Sequence, residues 1–189
     1  MVDIATPVAR PALTLSESQL RELIELTSDL FDEAGRCASA GLWRAAVLLL
    51  GGAVEAALIA TAARLEPELR RTGAWPSNAD PTSWTLGQAL QVAKAASWLP
   101  SGPSTSEGDV FAALHGDIGD AVRFLLVVRN MVVHPGAYVL AEDRPDLDDT
   151  EHMRPTYDVL HGIAAEVLLR LQAALESPRS GRGASPAAG

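Results

Sequence analysis

WRAAVLLLGGAVEAALIATAARLEP, residues 43–67, decides the fold. Between Arg44 and Arg64 nearly every side chain is apolar or small, over a length that ordinary strands do not reach. A helix that is apolar almost all round must be covered on every side. The stretch therefore reads as the central helix of a bundle, about Leu42 to Leu65, stopping before Glu66-Pro67. Its length also suits a membrane span. Glu55 near its centre opposes that, because a charge there costs roughly 2.5–3.5 kcal/mol on insertion scales. Much of the remainder is weakly hydrophobic alanine and glycine, so a core helix, with no membrane, is expected. Gly51-Gly52 lowers intrinsic helix stability by roughly 1 kcal/mol per glycine relative to alanine. Such a pair is expected where a neighbouring helix or subunit comes close.

Upstream, Leu20, Leu23, Ile24, Leu30, Phe31 and Ala34 recur at helical spacing, with acidic residues on the other faces. This predicts an amphipathic helix over about 16–38, capped by Ser16 or Ser18 and ended by Gly41. Residues 1–14 carry Pro7 and Pro11 without periodicity and are expected to form a flexible arm. Downstream, residues 66–83 read as a connection. Thr85 to Gln88 has capping-box spacing and opens a third helix over about 86–98. A loop follows at 99–108, then a fourth helix at about 109–133 and a fifth at about 155–176. Residues 178–189 have the composition of a disordered tail. The expected fold is a single all-α bundle of about five helices over 15–177.

Hydrophobic residues make up 48 % of the 189-residue chain and charged residues 21 %, a globular balance. The net charge of −9 excludes a uniformly basic nucleic-acid surface. Cys37 is the only cysteine, so neither an intrachain disulfide nor a cysteine-based zinc site can form. That fits a cytoplasmic protein. No secretory signal is evident, and the sequence carries no Walker-type glycine loop and no GxSxG elbow.

The chemistry-bearing stretch is RNMVVHPG, residues 129–136, at the end of the fourth helix. Asn130 and His134 are four apart and share a helix face. Arg129 and His134 lie about 140° apart, so Arg129 must swing its long side chain to join them. By spacing alone a helix stop is the simpler account. A histidine favours a helix C-terminus, and Pro-Gly commonly ends a helix. Glu55 reads as a structural carboxylate paired with Arg123 or Arg129. His115, Asp117 and Asp120 lack a second ligand set and read as a polar face rather than a metal site. His152 and His161 have no partner pattern. Trp43, Trp75, Trp84 and Trp98 read as core or interface anchors.

Arg129, Asn130 and His134 resemble the signature of the HEPN superfamily (higher eukaryotes and prokaryotes nucleotide-binding domains): an arginine, a polar residue, then a histidine at the end of a helix in an all-α bundle. Pro135-Gly136, the apolar helix with Glu55 inside it, and Thr85-Leu86-Gly87-Gln88 are further points of likeness. The resemblance covers about residues 15–177 and implies a metal-independent endoribonuclease, a toxin or defence effector, that acts on RNA as a homodimer without a cofactor. It implies His134 as general acid or base, Arg129 on the phosphate, and Asn130 orienting the histidine or the phosphate. It equally allows a non-catalytic dimerisation or partner-binding module whose partner is an antitoxin or another defence-system protein. The acidic run at 141–152 would then face a basic partner.

Overall fold

The computed structural model describes residues 15–76, 84–99, 118–134 and 148–176. Among them are six α-helices and no strand: α1 Glu17–Ser39, α2 Trp43–Arg64, α3 Glu66–Thr72, α4 Leu86–Ala95, α5 Ile118–Val133 and α6 Thr150–Glu176. The chain is an all-α bundle, and its described residues hold one helix more than the sequence pattern predicts.

Helix α2 is its axis. Helices α1, α4, α5 and α6 all pack on it. Thirteen of its 22 residues are buried, among them Val47, Leu50, Val54 and Leu58. It is long and apolar enough to cross a membrane, but 67 % of its most apolar window is enclosed by the other helices, as a core helix requires. Leu125 of α5 and Met153, Leu160, Ile163 and Val167 of α6 complete the centre of the core.

Local chemistry sets the helix ends. Ser16 caps α1: its hydroxyl accepts from the Gln19 N–H at 3.3 Å, and Gln19 Oε1 accepts from the Ser16 N–H at 2.9 Å. Thr85 and Gln88 make the same reciprocal box at the start of α4. Gly41 and Gly73, both left-handed at φ near 74° and 73°, end α1 and α3. At the end of α4 that position falls to Ser97 (φ 58°), with Trp98 N–H bonded to the Ala93 carbonyl. This turn stops α4 at Ala95, three residues short of the predicted end.

Two further boundaries differ from expectation. Within the predicted 66–83 connection, EPELRRT folds as α3. Pro67 falls in the first turn, where a missing N–H costs nothing; acids lead and arginines close the helix; Leu69 is buried. The last helix begins at Thr150 rather than 155. Asp149 Oδ1 accepts from the Glu151 N–H at 2.9 Å, and Trp43 Nε1 donates to Thr150 Oγ1 at 3.2 Å. Those contacts, with the burial of Met153 and Tyr157, hold the helix through Pro155, which removes one backbone donor from its interior. Part of the predicted acidic loop is thus a helix start. Its Asp148 carboxylate forms a two-point ion pair with Arg44 on α2, at 3.0 and 2.8 Å. The rest of that loop, the arm, the tail and the predicted helical turns at 109–117 lie outside the described residues.

Candidate functional site

Helix α5 presents Arg129 and Asn130 on different faces. Arg129 turns toward α2 because position 51 there is glycine. A methyl group on Gly51 would stand 2.8 Å from Arg129 Cγ and 3.5 Å from its Cβ, so the arginine stem lies directly against bare helix backbone. Gly52 serves the other flank, where a methyl would meet Leu30 Cδ1 of α1 at an ordinary 3.4 Å. The close approach expected at the glycine pair is thus made at Gly51, by an arginine side chain of α5.

From that seat the guanidinium reaches along α2. Arg129 Nη2 lies 3.7 Å from Glu55 Oε2, with the two side chains 28 % and 26 % exposed. Arg129 Nη1 donates to Asn130 Oδ1 at 3.2 Å. Arg129 Nε is enclosed and has no acceptor. The Glu55 contact is an ion pair beyond hydrogen-bond distance, so the guanidinium is held more by packing and charge than by directed bonds. Glu55, the carboxylate expected to pair with Arg123 or Arg129, pairs with Arg129.

His134 sits one turn beyond Asn130. Its N–H donates to the Asn130 carbonyl at 2.8 Å, so the backbone keeps the helical bond up to the residue before Pro135. The residue is exposed. The structure thus joins Arg129, Asn130 and Glu55 into one cluster. It sets His134 on Asn130's face without a side-chain contact to that cluster. A part-exposed guanidinium can bind an oxyanion, and an accessible imidazole can move a proton.

One feature of this face escapes motif reading. Phe124 and Val127 on α5 are 38 % and 49 % exposed, large apolar groups two turns and one turn before Asn130 and Met131. Their i, i+3, i+7 spacing with Met131 was the available signal, masked in the sequence by buried neighbours such as Leu125 and Val128.

The other candidates resolve into structural roles. His152 Nδ1 pairs with Asp149 Oδ2 beside the start of α6. His161, for which the sequence shows no partner, packs its ring against Phe31 at 4.5 Å and Tyr157 at 5.7 Å. His115, Asp117 and the Asp120 side chain lie outside the described residues. Among the described residues no group of three or more His, Cys, Asp or Glu could hold a metal. Trp43 is buried, and Trp75 and Trp84 form an edge-to-face pair at 5.1 Å. Burial pushes the Cys37 thiol and the Tyr157 phenol up from their ordinary ranges.

Comparison with protein-family models, with curated proteins and with solved structures finds no match.

Proposed function

We propose that this chain is a HEPN-like metal-independent endoribonuclease, a cytoplasmic toxin or defence effector acting as a homodimer. The observation that supports it is the pairing of Arg129 with Asn130 on the outer turn of α5, with an exposed His134 one turn further on. In this mechanism a ribose 2′-hydroxyl attacks the adjacent phosphorus while His134 takes its proton. The Arg129 terminal nitrogens hold the phosphoryl oxygens and stabilise the added negative charge of the transition state. Asn130 orients the arginine through its 3.2 Å bond. The bond from phosphorus to the 5′-oxygen breaks, and that oxygen gains a proton from the histidine of a second copy. The products are a 2′,3′-cyclic phosphate and a 5′-hydroxyl. Two chains fit the chemistry because one histidine cannot be base and acid on opposite sides of the same phosphate in one step. The exposed Phe124–Val127 stripe supplies apolar surface for the pairing.

RNA cleavage that continues in EDTA, yields cyclic-phosphate ends and disappears in Arg129→Ala and His134→Ala is the expected result. A folded dimer that leaves varied RNAs intact would sink the proposal.

A second reading has its own support. Glu55 already engages Arg129, and the net charge is −9. Both fit a non-catalytic partner-binding module of a toxin–antitoxin or defence system, in which the arginine fastens α5 to α2. A stoichiometric complex that survives His134→Ala, without RNA cleavage, would favour it.

A further inference from the structure

Helices α1 and α6 both lie on α2 yet scarcely meet each other. They touch where Phe31 stacks on His161. Beyond that contact they leave a groove of about 320 Å³. Its floor is small, formed by Ala57, Ala60 and Thr61 of α2. Its walls carry large apolar groups at their ends, Ile24 and Phe31 on α1 and Leu168 and Leu175 on α6, with polar Thr27, Ser28 and Gln172 between them. Ile24 is 54 % exposed and Leu175 38 %. Each wall pair is seven residues apart, so the groove is about two helical turns long, or roughly 10 Å. An apolar stripe of i, i+3 or i+4, i+7 side chains on an incoming helix has that length.

The rims carry the charge. Glu25 and Asp32 each follow a wall residue of α1 by one position and are turned about 100° outward from it. Glu176 stands in the same relation to Leu175. All three are exposed. Arg21, one turn before Glu25, offsets part of this charge. A second copy of the chain seated here would bring acidic rim against acidic rim. A partner with basic residues beside its apolar stripe meets complementary charge on both rims.

We propose that the α1–α6 groove docks an amphipathic helix of a partner protein, with leucine-like anchors in the groove and lysines or arginines against Glu25, Asp32 and Glu176. The site is separate from the α5 motif and does not depend on the ribonuclease reading.

Two labelled synthetic helices of about five turns provide the probes. They share one leucine stripe and differ only in having lysine or glutamate beside it. Fluorescence anisotropy with the full chain should show binding of the lysine helix alone. Ile24→Asp, at a position 54 % exposed, should weaken it by about tenfold or more. Glu25→Lys with Asp32→Lys should do the same. Glu68→Lys with Glu151→Lys, an equal charge change away from the groove, should alter it by less than about threefold. Equal loss in the remote pair would reduce the effect to general charge attraction and overturn the proposal, as would unchanged binding in Ile24→Asp. Sedimentation gives a further check: a wild-type dimer dissolved by Ile24→Asp would make the groove a self-interface instead.

Discussion

Gly51→Ala tests how Arg129 is held. The new methyl would stand 2.8 Å from Arg129 Cγ, closer than carbon atoms approach, and 3.5 Å from its Cβ. The obstructed atoms belong to the root of the side chain, not its flexible end, so the whole arginine must swing. Overpacking of this kind costs about 1–3 kcal/mol. Alanine in place of a mid-helix glycine returns roughly 1 kcal/mol. The net expectation is a loss of up to about 2 kcal/mol, roughly 4–8 °C in Tm for a domain of this size. Gly52→Ala is the internal control. Its methyl meets only the end of the Leu30 side chain, at 3.4 Å, so the propensity gain dominates and stability holds or rises. Urea unfolding followed by circular dichroism reads both. A double-mutant cycle sharpens the test, because Arg129→Ala removes the obstruction and should make Gly51→Ala harmless or stabilising. If Gly51→Ala proves as stable as Gly52→Ala in the presence of Arg129, the arginine is not seated on Gly51 and the site geometry above is wrong. Under the ribonuclease proposal, Gly51→Ala should also lower RNA cleavage while Gly52→Ala should not.

Other perturbations probe separate features. Glu55→Gln leaves the half-buried Arg129 without its charge partner and should cost about 1–2 kcal/mol, between the values for surface and buried pairs, as measured in urea; an unchanged midpoint would show that the 3.7 Å contact contributes nothing. Ser97→Gly should raise stability by up to about 1 kcal/mol, because φ 58° disfavours a side chain; a fall in Tm would contradict this account of the α4 stop. At the start of α6 the hydrogen bond from Arg44 holds the Asp148 carboxyl below the usual range, and the one from His152 does so for Asp149. Folded values below unfolded ones mean that this stabilisation is complete above the ordinary aspartate value of about 3.9 and is lost as pH falls through the depressed ones. Acid titration of Tm should therefore be shallower below about pH 4 in Asp148→Asn with Asp149→Asn than in the wild type. Parallel curves would assign acid unfolding to other groups.

Much of this molecule is legible along the chain because the forces concerned act over a few residues. A serine cap on α1, the Thr85 box, the Gly41 stop and the all-round apolarity of α2 involve neighbours within one or two turns, and they appear in the structure as the chain implies, with Ser16 rather than Ser18 as the cap. Where local signals compete, the chain alone misleads. Glu66-Pro67 ends α2 as it reads, yet it also starts a helix, and Pro155 reads as a start yet lies inside one. The difference is made by Leu69 entering the core and by Trp43 holding Thr150.

The sequence by itself determined that the chain is helical, that residues 43–64 form its centre, and that an arginine, an amide and a histidine gather at one helix end. Only the tertiary structure decided what they touch. Arg129 could have turned to His134, leaving Glu55 to Arg123. It turns to Gly51 and Glu55 because α5 crosses α2 where a missing side chain admits its stem. The gap between α1 and α6 is of the same kind, set by how two helices seat on a third. Such choices depend on crossing geometry and rotamer fit between segments far apart in sequence, which no local periodicity encodes.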